Sequence, residues 1–261
     1  MSAHLLPPFT HILARRPAPN FTEGLTTVDL GAPDYEKTMQ QYNTYIAALK
    51  SCGLQVTVLD PDERFPDGHF VEDPVVIFRD LAFVSRSGAE PRRGESEFLL
   101  PYLRNHQLVT LHDDHAFIDG GDVLFCADRV LIGLSERTNQ AGAEALAAAL
   151  RQVQVDIRVD YFPFEGVLHL KSGLTELAPG ILVHDPTMQT DYPLSWAQVV
   201  TLPAEEGYAA DVMPVNDTLF IVDGFPTVKQ IAEQYYEHVV ALNMSEFRKM
   251  DGGLTCLSLR Y

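Results

Sequence analysis

The chain has 261 residues, 46% of them apolar and 21% charged, which is enough to bury a sizeable core and makes disorder unlikely. With 19 basic residues against 36 acidic ones, its net charge of −17 disfavours nucleic acid or an anionic membrane as partner and favours a small cationic molecule. Its three cysteines include no CxxC pair, its N terminus has no signal-peptide h-region and no apolar run is long enough to span a bilayer, so we expect a cytoplasmic protein without disulfides or membrane anchor.

A strand–strand–helix–strand pattern recurs along the chain. It begins with a strand at 11–14, a helix that Asp34 caps and Gly53 ends, and an alternating strand at 54–59. Hairpins then follow, with turns near residues 79, 128, 179 and 216. The predicted hairpin strands are 75–78 with 81–85, 123–127 with 130–133, 174–177 with 181–185, and 212–215 with 218–223. The predicted helices are 93–106, 138–153, 227–238 and a broken segment at 186–196, and the predicted third strands are 108–110, 155–161, 198–202 and 239–242.

The C-terminal end is unusually apolar for a chain terminus. Residues 254–261 are typical of a buried strand, and two glycines precede them. If the repeats form a closed ring, this strand pairs with the first strand at His11 and removes a free sheet edge. The sequence therefore predicts an α/β protein, a five-bladed β/α-propeller of pseudo-fivefold ββαβ repeats, in a single catalytic domain over 1–261 with 1–10 as a loose N-terminal extension.

Polar or ionisable residues stand just before the first hairpin strand of every repeat. They are Glu72 and Asp73, Asp119 and Asp122, His169 and Lys171, Asp211, and Cys256. If the repeats surround one axis, these junctions converge there, and carboxylates, a histidine and a thiol then share one site. Whether Asp122 and Asp211 are structural or contact a substrate stays open at this point.

Cys256 is the candidate nucleophile of this cluster. A free thiol has a pKa of about 8.5 and is mostly neutral at pH 7, so it needs a histidine such as His169 to move protons. Nearby carboxylates raise the pKa of a thiol, which makes this a poor protease-type nucleophile. The combination fits better if the substrate brings the positive charge, because a guanidinium paired with Asp73 would also favour the thiolate.

Several segments, in this order, resemble the signature motifs of the guanidine-modifying (pentein) enzymes. They are 70–74 (FVEDP), 119–122 (DGGD), 169–173 (HLKSG) and 251–256 (DGGLTC). Within that superfamily they are most similar to the dimethylarginine dimethylaminohydrolase family, bacterial type, and the resemblance extends from His11 to Tyr261. The resemblance implies the five-bladed β/α-propeller of that superfamily.

The resemblance also implies a reaction and roles for individual residues. A dimethylarginine or monomethylarginine would be converted to citrulline and an amine through a covalent S-alkylthiouronium, without a metal or an organic cofactor. The implied catalytic residues are Cys256, His169 and Asp119. The implied substrate-binding residues are Asp73 for the guanidinium, Glu72 and Asp67 for the amino end or the site's loop, Arg92 and Arg137 for the α-carboxylate, and Leu25 in a loop over the site.

Asp119 departs from the family pattern, which usually has a glutamate at this position. Its side chain is one methylene shorter, so we expect His169 to be held differently if the carboxylate must reach it directly. The alternatives are a related hydrolase or deiminase acting on arginine, agmatine or a citrulline-like ureido compound, and a non-catalytic binding protein of the same fold. A homodimer remains open as the assembly.

Overall fold

The computed structural model describes residues 5–261, so residues 1–4 of the predicted N-terminal extension lie outside the described residues. The strands of the described part form five three-stranded sheets. In every sheet the middle strand pairs antiparallel with one neighbour and parallel with the other. The fold is therefore a mixed α/β structure of small, similar sheets.

The strands follow the repeats that the sequence predicts. They are β1 His11–Arg15, β2 Gln55–Leu59, β3 Val75–Phe78, β4 Leu81–Val84, β5 Gln107–Thr110, β6 Val123–Phe125, β7 Val130–Leu134, β8 Val159–Pro163, β9 Leu174–Ala178, β10 Ile181–His184, β11 Gln198–Thr201, β12 Met213–Val215, β13 Thr218–Val222, β14 His238–Leu242 and β15 Leu259–Arg260. The α-helices are α1 Tyr35–Ser51, α2 Gln140–Val153, α3 Leu170–Gly173, α4 Pro226–Tyr235 and α5 Ser245–Arg248. None of the helices within residues 5–261 is long and apolar enough to cross a membrane.

The pairing of the two chain ends is confirmed. Strand β15 runs antiparallel to β1, with Ile12 opposite Arg260 and Leu13 opposite Leu259. The predicted start of this strand at Leu254 is wrong, however, because Thr255–Leu257 form a single 3-10 turn. Cys256 therefore lies in a turn that leads into the closing strand and not in the strand itself.

Helix α1 holds this C-terminal turn in place. Asp34 accepts a hydrogen bond from the backbone N–H of Lys37 (3.0 Å) and caps the helix as predicted. Tyr45 lies on the buried face of the helix. Its hydroxyl contacts the Ser258 hydroxyl (2.7 Å) and donates to the Leu254 carbonyl (2.9 Å). The helix thus positions the segment on both sides of the cysteine.

Two predicted helices are wrong. Residues 93–106 form short 3-10 turns at Glu95–Phe98 and Leu100–Tyr102, because Gly94 adopts a left-handed conformation (φ 103°) and Pro101 interrupts the hydrogen-bonding pattern. The segment 186–196 contains no helix and includes Pro193 among bends and turns. The other helices and strands occur with shifted ends, most clearly β8, which starts at Val159 and leaves Val155 86% exposed.

Part of the predicted loose extension is tied to the body of the protein. Phe9 exchanges two backbone hydrogen bonds with the side chain of Asn216 (2.8 and 2.9 Å), and the backbone N–H of Thr10 donates to the carbonyl of Tyr261 (2.9 Å). The backbone is therefore held from Phe9 onwards.

Candidate active site

The five polar junctions of the repeats are brought into direct contact. The connecting contacts are Gly121 N–H to Asp73 Oδ1 (2.9 Å), Lys171 Nζ to Glu72 Oε1 (2.6 Å), His169 Nε2 to Asp119 Oδ2 (3.3 Å), Glu72 N–H to the Cys256 carbonyl (3.3 Å), and Thr255 N–H to Asp211 Oδ2 (3.2 Å). One small region therefore contains the thiol, the imidazole and most of the buried carboxylates that the sequence singles out.

His169 is positioned by the start of helix α3, which it precedes directly. Asp122 holds that start: it accepts hydrogen bonds from the backbone N–H of Leu170 (2.9 Å) and from the hydroxyl of Ser135 (2.7 Å). Both carboxylate oxygens of Asp122 are used in this way, so its role is structural. Gly121 must be a glycine, since a Cβ there would lie 2.7 Å from the His169 ring and 2.9 Å from Asp73 Oδ1.

His169 is held in its charged form. Burial lowers the pKa of the imidazole, but the charge of Asp73 and the hydrogen bond to Asp119 outweigh this and raise the pKa to about 9. Burial alone would raise the pKa of Asp73, yet His169 and Arg92 lower it to about 2. At neutral pH this side of the site is an imidazolium between carboxylates, and it can act as a proton donor.

Cys256 is held in the opposite state. Burial, followed by the charges of Asp211, Glu72 and Asp73, raises the pKa of its thiol well above the ordinary value. The thiol is therefore neutral at neutral pH, and a cation placed among these carboxylates would lower its pKa.

Cys256 and His169 both line one small pocket. Of the residues that the sequence predicts to bind substrate, five also line it: Leu25, Asp67, Asp73, Arg92 and Arg137. The remaining wall comes from residues that sequence reasoning did not assign: Phe70, Leu168, Met250, Asp251 and Gly252. Phe70, Asp251 and Gly252 lie in the quoted motifs. Leu168 and Met250 have neither a polar group nor a motif that would indicate a site.

Glu72 and Asp119 lie behind this wall. Glu72 Oε1 accepts from Lys171 and from Arg260 Nη2 (2.5 Å), so it contacts two cations; its predicted contact with the substrate's amino end stays a prediction. Asp119 is fully buried and, although one methylene shorter than glutamate, contacts His169 directly. The side chain of Arg137 lies 3.7 Å from the same oxygen of Asp119.

Arg92 is engaged inside the protein. Its guanidinium donates to Asp73 Oδ2 (2.6 Å), to both oxygens of Glu95 (2.8 Å to the nearer) and to the Phe70 carbonyl (3.2 Å). Its contact here is thus with the carboxylate predicted to bind the guanidinium of the substrate, and its role towards an α-carboxylate stays a prediction. Glu95 was not assigned this role from the sequence, because nothing local distinguishes it from the neighbouring surface acids.

A loop that carries Leu25 forms part of the pocket rim, and the substrate-binding role that the resemblance implies for Leu25 stays a prediction. The buried Asp67 accepts from the backbone N–H of Leu25 (3.0 Å). Asp251 accepts from the backbone N–H of Thr27 (2.5 Å) and from its hydroxyl (3.1 Å). Two carboxylates therefore hold the loop down on the pocket.

The trio Asp73, Asp119 and His169 also has the spacing of a metal site, with ligand atoms within 4.8 Å of one another. Arg92 and Arg137 already lie against the two carboxylates, and the raised pKa keeps the imidazole protonated. A protonated imidazole has no lone pair for a metal, so the arrangement favours the imidazolium over a metal ion.

A neutral thiol, an imidazolium and an excess of buried carboxylates around a small pocket are the features of a cysteine-dependent enzyme for a small cationic substrate. Residues 32–163 match the family model described as N,N dimethylarginine dimethylhydrolase, eukaryotic. The chain is 38% identical to the N(G),N(G)-dimethylarginine dimethylaminohydrolase of Pseudomonas aeruginosa, over 97% of this chain and all of that protein.

Solved structures show similarity to the same family. The Pseudomonas aeruginosa enzyme, as a cysteine-to-serine mutant complexed with citrulline, superposes with a TM-score of 0.91 at 36% identity, covering 97% of this chain and all of that one. A dimethylarginine dimethylaminohydrolase with its histidine changed to glycine, in an adduct with S-methyl-L-thiocitrulline, gives 0.88 at 37% identity over the same shares. The chain belongs to the dimethylarginine dimethylaminohydrolase family.

Proposed function

We propose that this protein hydrolyses Nω-methylated arginine, as dimethylarginine or monomethylarginine, to citrulline and the corresponding amine. The observation that carries the proposal is the pairing, in one pocket, of a neutral Cys256 thiol with a protonated His169 beside the ionised Asp73. The family relatives support it, since one is complexed with citrulline and another forms an adduct with S-methyl-L-thiocitrulline.

The first half of the reaction forms the covalent intermediate. The guanidinium of the substrate binds among the carboxylates led by Asp73, and its charge lowers the pKa of the Cys256 thiol, which loses its proton to solvent. The thiolate sulfur then forms a bond to the guanidinium carbon. The imidazolium of His169 gives its proton to the methylated nitrogen, the carbon–nitrogen bond breaks, and the amine leaves behind a cationic S-alkylthiouronium.

The second half consumes one water molecule. His169, now neutral, takes a proton from the water, and the resulting hydroxyl adds to the thiouronium carbon. The carbon–sulfur bond breaks, the sulfur leaves as a thiolate and takes up the remaining proton of the added hydroxyl, and the neutral thiol and a ureido product, as in citrulline, result. Asp73 and Asp119 stabilise the imidazolium that this step regenerates, because they are the charges that raise the pKa of His169.

The α-carboxylate and the amino end of the substrate are assigned to residues of opposite charge. Arg137 is proposed to bind the α-carboxylate, together with Arg92 once the substrate guanidinium competes for Asp73. Asp67 and Glu72 are proposed to act on the amino end and on the loop of Leu25, and the hydrogen bond from Leu25 to Asp67 supports the second of these roles.

The architecture and assembly are proposed to follow the family. Five sheets with one pairing pattern, and the pairing of β15 with β1, support a closed five-bladed β/α-propeller in a single domain over 1–261. The same assignment supports a cytoplasmic enzyme without a metal or organic cofactor. Light scattering tests the homodimer that the sequence leaves open.

A substrate panel tests the proposal. Purified protein is incubated with dimethylarginine, monomethylarginine, arginine, agmatine and citrulline, and release of citrulline, ammonia, methylamine and dimethylamine is followed separately. We expect citrulline with equimolar dimethylamine or methylamine. Ammonia from arginine or agmatine as the fastest product would instead favour a deiminase, and no release from any compound would overturn the hydrolase assignment.

A further inference from the structure

Asp211 is a buried carboxylate that the reaction described above does not use. It stands just before β12, at the junction equivalent to the one that carries Cys256. Its side chain is 3% exposed. Oδ2 accepts a hydrogen bond from the backbone N–H of Thr255 (3.2 Å), the residue that precedes the nucleophile.

The turn around the nucleophile is shaped to this carboxylate. A Cβ on Gly253 would lie 2.0 Å from Asp211 Oδ2, so only a glycine allows the chain to pass so close. The second oxygen, Oδ1, is buried and has no hydrogen-bond partner among the described residues. A carboxylate needed only as a hydrogen-bond acceptor would not require a buried, unsatisfied oxygen, which is costly.

The charges around Asp211 and Cys256 form one connected group. Those that act on the thiol are Asp211, Glu72 and Asp73, with Tyr208 also facing it. Those that act on Asp211 are Glu72, Lys171, Arg260, Tyr45 and Tyr208. Lys171 and Arg260 both form ion pairs with Glu72 Oε1. Asp211 has no ion-pair partner within hydrogen-bonding distance in residues 5–261.

We propose that Asp211 is a positioning residue for the nucleophile: through Oδ2 it holds the Gly253–Cys256 turn, and it places a negative charge beside the thiol. Together with burial, this charge keeps Cys256 neutral until a cationic substrate arrives, and so couples formation of the thiolate to substrate binding. The inference rests on the proposed function, which supplies the cation. Burial and then Glu72 raise the pKa of Asp211 to about 7, so the charge is present from neutral pH upwards.

The test is Asp211→Asn, which keeps the shape and an oxygen acceptor for the Thr255 N–H but cannot become charged. Alkylation of Cys256 by iodoacetamide is followed from pH 6 to 12 by mass spectrometry of the Cys256 peptide, without substrate, in brief pulses at the alkaline end. We expect the midpoint of alkylation to move down by about one pH unit, as for the loss of one neighbouring charge. The kcat/KM profile should show the limb that reports thiol ionisation moving in the same direction.

Two further variants make the result decisive. Asp211→Ser is smaller, still offers an acceptor, and must move the midpoint in the same direction as Asp211→Asn. Asp217→Asn removes an exposed carboxylate of the same hairpin and should leave the midpoint unchanged. An unmoved midpoint in a folded neutral variant overturns the proposal. Because alkylation needs no substrate, this outcome is independent of whether the substrate panel supports the hydrolase.

Discussion

On the two sides of the pocket, burial and charge combine differently: they shift the pKa of His169 in opposite directions and the pKa of Cys256 in the same direction. On the side of His169, each carboxylate faces a cation: Arg92 lies on Asp73 at 2.6 Å and Arg137 lies near Asp119. On the side of Cys256, Lys171 and Arg260 both pair with Glu72, and neither pairs with Asp211 within residues 5–261.

The neighbouring carboxylates raise both pKa values. On the side of His169, Asp73 and Asp119 outweigh burial and keep the imidazole protonated and therefore charged. On the side of Cys256, burial and then Asp211, Glu72 and Asp73 keep the thiol protonated and therefore neutral. In the proposed reaction, the acid His169 is therefore ready before the substrate binds, whereas the nucleophile Cys256 is not. A neutral ligand of the same shape would leave the thiol unionised, so charge contributes to the choice of substrate as well as to its binding.

The largest effect is expected from Cys256→Ser. An alcohol is a far weaker nucleophile than a thiolate, so citrulline formation should fall by more than about 10³-fold. Because serine is nearly isosteric, the melting temperature should change little. Cys52→Ser, at a half-buried cysteine outside the pocket, is the matched control and should keep the wild-type rate. Turnover retained by Cys256→Ser on every guanidine tried would remove this residue as the nucleophile.

His169→Gly should reduce turnover next most. Loss of the proton donor is expected to lower kcat by about 10²- to 10⁴-fold. Substrate binding should weaken much less, because the carboxylates that attract the cation stay in place. Stopped-flow kinetics and equilibrium binding measure the two quantities separately. Unchanged turnover would exclude His169 from the mechanism, and equal losses in binding and turnover would make it a binding residue.

The sequence predicts which residues meet in the site better than it predicts which residues pair with them. The repeats, the closing pair of strands and the polar junctions depend on local alternation and turn residues, and all of these occur in the structure. Patterns of this kind are repeated, so each unit supports the assignment of the next. Cys256, His169 and Asp73 could therefore be brought together before any coordinates were known.

The partners of the junction residues could not be predicted in the same way. Arg260 reaches Glu72 from the far end of the chain, and Arg92, at the end of a short 3-10 turn, reaches Asp73 and Glu95. Which carboxylate receives which cation depends on long-range packing, and so do the opposite charge states of the thiol and the imidazole. The direct contact of Asp119 with His169 was likewise beyond an argument from side-chain length alone.

A smaller effect is expected from Asp119→Asn, which tests what keeps His169 protonated. The carboxylate of Asp119 helps raise the pKa of His169 to about 9, so its removal should lower that pKa by about one unit. The imidazole is protonated below its pKa, and in the variant it should therefore lose its proton at lower pH. An NMR titration of the His169 ring measures this directly, with Asp156→Asn as an exposed control. A shift upwards, or none, would show that Asp73 alone sets the charge.

The smallest effect is expected at the loop that covers the pocket. Asp251 accepts two hydrogen bonds from Thr27 and has a left-handed backbone (φ 57°), so asparagine is the suitable replacement because it tolerates this conformation. Asp251→Asn should weaken the hold on the loop and raise KM by about 3- to 10-fold, the range of one ordinary hydrogen bond, because the asparagine oxygen still accepts but carries no charge; kcat should change little. Thr27→Val removes only the hydroxyl bond and should raise KM less. If kcat falls as much as kcat/KM, Asp251 acts on the reacting groups, and the distinction between a loop that retains substrate and two sides that perform the chemistry would no longer hold.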